Sequence, residues 1–212
     1  GVQHEIRPGI AAEATYVHHW FGNFIAVNNH AVTPSDFTSY CIAAPVDSRL
    51  PGGGGNQICG MYDVNPNKFG QVNNVVEPAA TFGEQTDAYT GVDFSLSVRL
   101  PRSVLLSGGF NVGHEVTDNC YLSALPNVTN QSGNAVPQIP GVLTQPARAG
   151  FCHVAPPMLF QAKAFATYPL PWWGIRTAAT YQSVPGPEIT ATYVAPNSVI
   201  APSLGRNLSA GP

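Results

Sequence analysis

The residues best suited to chemistry in this 212-residue chain are six histidines, four cysteines and a short run of acids and amides. His18 and His19 stand side by side before Trp20. A metal ion would need both imidazoles to converge on it, but the flanking residues alternate as in a strand, where neighbours point to opposite faces. The pair therefore reads as strand residues close to a loop. Asp63-x-Asn65-x-Asn67 spaces its oxygens like the opening of a calcium loop, which makes Asp63, Asn65 and Asn67 the metal candidates. Counted from Asp63, however, glycine falls at position eight instead of six, and position twelve is Asn74 instead of glutamate. A hydrogen-bonded Asx turn fits this segment better.

His114-Glu115 and His153 offer base-like groups to a hydrolase or a metal-dependent enzyme. No G-x-S-x-G elbow, H-E-x-x-H pair or other spaced nucleophile accompanies them. Triads are assembled in space, so an enzyme stands as the third reading, with no catalytic residue assigned. Gly52 to Gly55 is not a phosphate loop, because no GK[ST] follows it. None of these patterns implies a cofactor. Cys41, Cys59, Cys120 and Cys152 lie two by two in loop-like segments, which predicts disulfides and an oxidising compartment. Pairing within each segment is the simplest of the three connectivities that four cysteines allow, and the spacing leaves the choice open. Closing the segment between Cys41 and Cys59 would contribute about 3 kcal/mol in the chain-entropy model.

The elements that must position these residues show a period of two. Val92, Phe94, Leu96, Val98 and Leu100 alternate with Asp93, Ser95, Ser97 and Arg99, up to the break at Pro101-Arg102-Ser103. Leu106, Phe110, Val112 and Val116 then share one parity, so Gly91 to Val116 reads as a long hairpin. Val2, His4 and Ile6 precede a turn at Arg7-Pro8-Gly9, and the parity of Ile10, Ala12, Ala14, Tyr16, His18 and Trp20 follows it. Phe160, Ala162, Ala164, Ala166 and Tyr168 lead through Leu170 to Gly174 into Ile175, Thr177, Ala179 and Tyr181. The sequence thus predicts an all-β fold of antiparallel hairpins, near 1–20, 84–116 and 158–183, with about six long strands. Two long loops, 22–82 and 117–157, join them, and a short β-like piece runs from Ile189 to Val194.

Only 10% of the residues are charged, against roughly 25% in ordinary soluble domains. The net charge of -3, with lysine only at Lys68 and Lys163, supplies no basic patch for nucleic acid. No apolar run approaches the ~20 residues of a membrane-spanning helix. Barrel strands escape that test because they expose only alternate side chains to lipid. Strands of about ten residues, short turns at one end and long loops at the other are the asymmetry of outer-membrane barrels. Tyr16, Trp20, Tyr168, Trp172 and Trp173 are placed as interfacial aromatics. The chain begins without a methionine or signal peptide and stops in turn-like sequence, so residues 1–212 read as a single segment, cut at both ends.

Several stretches resemble one group of proteins: Tyr62 to Gly70, Thr117 to Cys120, Cys152 to Val154, Tyr168 to Gly174, Ile189 to Val194 and Ala201 to Pro212. They are similar to the C-terminal barrel of large TonB-dependent-receptor-like outer-membrane proteins, of the type with an N-terminal carboxypeptidase-regulatory-like domain. The resemblance implies a bacterial outer-membrane barrel of about 22 strands, external loops that recognise a small ligand, and nutrient uptake powered through TonB. This chain lacks the plug, the TonB box and a terminal aromatic strand. Its six or so strands fall short of the about eight that close a barrel. The expected partners are therefore the remainder of the barrel or further copies of the chain, outer-membrane lipid and an unknown small ligand. The alternative is a soluble or self-associating all-β binding or structural protein.

Overall fold

A computed structural model describes residues 1–130, 152–186 and 192–211. The fold is all-β, with antiparallel sheets built from hairpins and one short helix among the described residues. The chain divides into two compact units. The first comprises Gly1–Trp20, Asp87–Val116 and Ala155–Glu188, and the second Phe21–Thr86, Thr117–Val154 and Ile189–Pro212.

The first unit holds the long strands: β1 (Val2–Arg7) and β2 (Ile10–Trp20), then, beyond the shorter strands β3 to β6 of the second unit, β7 (Thr86–Leu100) and β8 (Val104–Asp118), and finally β11 (Leu159–Pro169) and β12 (Arg176–Ser183). They lie in the order β1-β2-β7-β8-β11-β12, so each long strand sits beside the next one in sequence. The three short turns pass through left-handed backbone. Gly9 has φ 84°, Arg102 and Ser103 have φ 63° and 59°, and Trp173 and Gly174 have φ 55° and 64°. In the second and third turns, two successive left-handed residues carry the right-handed twist of the strands through the hairpin. β7 and β8 run for 15 residues each, longer than the ten or so expected, because their pairing continues past the last strictly alternating positions.

The second unit shows what periodicity does not reveal. The stretches read as long loops contain β3 (Ile25–Asn29), β4 (Phe37–Ala43), β5 (Gln57–Val64), β6 (Asn74–Pro78), β9 (Val128–Asn130) and β10 (His153–Val154). β3 lies between β6 and β9, and β4 pairs with β5. The Cys41–Cys59 disulfide joins β4 to β5 with the two Cα atoms 4.1 Å apart. The Cys120–Cys152 disulfide brings the chain back so that His153 pairs with Asp118 and Val154 with Thr117. Ala26, Ala79, Leu122 and Val128 form one small core, with Phe24, Phe82, Tyr121 and Leu125 packed around it. A second core joins Tyr40, Ile42 and Met61 to Ile200 and Leu204.

Ile200 and Leu204 belong to α1 (Asn197–Leu204). Ile189 to Ala191 of the expected β-like piece lie outside the described residues, and 192–194 form no strand. The helix ends at Gly205, whose φ of 79° lets its N–H reach the Ala201 carbonyl at 2.8 Å. Ser203 Oγ accepts the Cys41 N–H at 2.9 Å, which fastens α1 to β4. Arg206 then pairs with Asp63, nine-tenths buried on β5, and Ser209 donates to the same carboxylate oxygen from its N–H and its hydroxyl, both at 3.0 Å.

Removing one partner of a buried pair leaves the other charge without compensation. Arg206→Ala should therefore cost about 3 kcal/mol of the second unit's stability. Urea unfolding with the disulfides intact measures it, and Arg206→Lys should recover part of the loss.

Candidate functional site

One face of the large sheet is the feature that the long strands build together. Directly opposed residues in an antiparallel pair share a face. Val2 is opposite Ala14 and Ala14 opposite Phe94. The Phe94 ring stacks on Phe110 with centroids 5.3 Å apart, Phe110 is opposite Ala162, and Ala162 is opposite Ser183. This row crosses all six long strands. A parallel row runs from His4 through Ala12 to Leu96, and another from Gly108 through Ala164 to Tyr181. Along the part of the strands in the first unit, this face bears no Asp, Glu or Lys. Arg7, past a bulge at the very end of β1 and opposite Ile10, is its one charged neighbour. Val2, Tyr16, Phe110, Phe160 and Tyr181 are all exposed there.

The aromatics expected at interfaces lie at the two margins of this face. Tyr16 and Trp20 are near the end of β2 from which the long connection leaves, with His18 between them. The His18 ring lies 5.8 Å from that of Trp20, and its Nδ1 is 2.9 Å from Thr90 Oγ1. Tyr168, Trp172 and Trp173 are at the opposite, short-turn end, where Trp173 is 92% exposed.

The other face carries the strand charges: Glu5, Glu13, Asp87, Asp93, Arg99, Glu115, Lys163 and Arg176. It also holds a polar cluster that the sequence reading did not single out. His19 stacks on Tyr89, its partner in the register, at 5.3 Å. Asn111 Nδ2 donates to Tyr89 Oη at 3.1 Å and to Asp93 Oδ1 at 2.7 Å. The Tyr89 ring lies where Cβ atoms on Gly91 and Gly113 would be, so the aromatic covers two bare stretches of backbone. The odd-numbered parity of 89, 91, 93, 111 and 113 is the signal that could have found it. His18 and His19 thus point to opposite faces and do not share an ion.

The remaining candidates are held separately. Asp63 is engaged by Arg206 and Ser209, Asn65 Oδ1 accepts from Thr38 Oγ1 at 3.0 Å, and the Asn67 carbonyl accepts from Gln71 Nε2 at 3.1 Å. The Asx turn expected around Asp63 is replaced by this long-range pair, which spacing along one segment cannot reveal. Among the described residues no three His, Cys, Asp or Glu side chains converge on one point. His114 Nδ1 bonds the Pro156 carbonyl at 3.0 Å, and His153 Nδ1 lies 2.9 Å from Asp118 Oδ2 on an exposed pair. Elsewhere in the second unit, hydrogen bonds from the Asn28 amide and the His30 imidazole hold the Glu77 carboxyl below its ordinary range.

Because Tyr89 occupies the Cβ position of Gly113, Gly113→Ala should destabilise the sheet by about 1–3 kcal/mol. In the Tyr89→Ala background the same change should cost much less, and a double-mutant cycle in urea reads that coupling. Comparison of the chain with known family models, with curated proteins and with solved structures finds no match to any of them.

Proposed function

We propose that the first unit is part of the wall of an outer-membrane β-barrel of the TonB-dependent-receptor type. Its apolar face meets lipid and its charged face lines the polar interior. The disulfide-pinned second unit is then the external region that recognises a small ligand before uptake. The observation that carries this reading is the row-by-row continuity of an apolar face free of Asp, Glu and Lys over six strands. Exposed apolar patches of that extent mark surfaces that are covered by something else. At about 3.3 Å per residue and a tilt near 40°, the 11-residue strands β2 and β11 reach about 28 Å, close to the about 25 Å of a barrel's apolar band. Aromatics at both margins and short turns at one end support the same reading.

In this wall, β1 and β12 are the strands that would pair with further barrel strands, since each has one neighbour in the sheet. Those same unpaired edges favour a second reading, a self-associating all-β protein whose copies cover one another. That reading requires a discrete oligomer in light scattering without detergent.

A lysine on the lipid side of a barrel costs about 2–4 kcal/mol near mid-membrane, whereas the interior side tolerates it. Leu96→Lys should therefore lower the urea midpoint for release from phosphatidylcholine vesicles. Ser95→Lys, on the other face opposite Glu13, should leave that midpoint near the wild-type value. Equal midpoints for the two variants would contradict the proposal.

A further inference from the structure

The basic residues are not spread evenly over the chain. Four of the chain's nine basic residues, Arg7, Arg99, Arg102 and Arg176, lie in or next to the three short turns. None of the four has a carboxylate partner among the described residues. The topology places two of them around one hollow. Arg99 is fixed at the end of β7, where its N–H donates to the Gly9 carbonyl at 2.7 Å. Arg176 opens β12 opposite Pro169. With Ser103, Val104 and the leucines Leu100 and Leu105 they line a depression of about 310 Å³. Glu5, the nearest carboxylate along β1, is turned to the Gly9 N–H at 3.1 Å.

We propose that this depression is an anion site for a phosphate group. Two guanidinium groups present forked donors whose geometry matches phosphate oxygens, and Ser103 adds a hydroxyl donor at the rim. Two cations without a carboxylate partner that line one concave, partly apolar surface gain more from a bound anion than the same charges spread over a flat one. The site is built wholly within the first unit and does not rest on the membrane reading. If the sheet is a barrel wall, the site lies at the short-turn rim of its interior face, where the phosphate is that of a free phosphorylated solute or of a lipid headgroup reaching over the rim.

Titration of the full chain in a non-ionic detergent separates these sources. Inorganic phosphate forms one arm, followed by calorimetry, and mixed micelles of that detergent with phosphatidylglycerol or with phosphatidylcholine form the other. The expected result is saturable binding of phosphate, or a preference for phosphatidylglycerol, that weakens about tenfold in Arg99→Gln and in Arg176→Gln. Binding in the first arm alone assigns a free phosphate, and Arg-dependent binding in the second alone assigns a headgroup. Arg99→Lys and Arg176→Lys keep the charge but lose the fork, and should fall between wild type and the glutamine variants, with unchanged circular dichroism. Lys163→Gln, elsewhere on the same face, should bind as wild type does. No binding in either arm, or binding that survives both glutamine variants, would overturn the proposal.

Discussion

Strand register is the constraint on which the first unit depends. β2 pairs with β7 and β8 with β11 in a register unbroken along their overlap, and β1 departs from its register with β2 only between Glu5 and Arg7. Because side chains alternate with a period of two, a one-residue slip would exchange the two faces of the slipped strand. Slipping β11 would bring Lys163 onto the apolar face and take Ala162 and Ala164 off it. The apolar rows, the polar cluster around Tyr89 and the arginine-lined depression are three consequences of a single alignment. The glycines contribute to it: a Cβ on Gly109 would collide with the Phe94 carbonyl, so that close approach admits no larger residue.

The second unit is held by different means. Its strands are too short to bury a broad face, and its two cores are small clusters. Cross-links do the remaining work. One disulfide joins β4 to β5, another returns the chain to β8, and the Asp63–Arg206 pair fastens the tail across β5. Covalent closure of loops holds a fixed shape without a large core by restricting the unfolded chain.

The long strands were legible in the sequence because the apolar–polar alternation runs through them, three times in Val2 to Arg7 and four times in Val92 to Leu100. The cysteines were legible as two pairs by position. The short strands were not, since they are two to eight residues long and their few repeats are lost among Asn-, Pro- and Gly-rich surroundings. α1 was masked by Pro202, which sits inside the helix, although Ile200, Leu204 and Gly205 carry the spacing and the cap. Asp63 read as local because its partners, Arg206 and Ser209, lie more than 140 residues away. The Tyr89 cluster is hidden in the sequence because its members occupy the polar parity, which ordinarily faces solvent.

Two faces of opposite character, produced by one register, are what a wall between lipid and an aqueous interior requires. The tryptophans report most directly on whether the apolar face meets lipid. Trp20 lies at one margin of that face and Trp172 and Trp173 at the other. Tryptophan fluorescence of the chain reconstituted with lipids brominated at different depths along the acyl chain tests the assignment. The account predicts strong quenching by bromines near the headgroup and weak quenching by bromines at the bilayer centre. Fluorescence insensitive to bromine at every depth would contradict it.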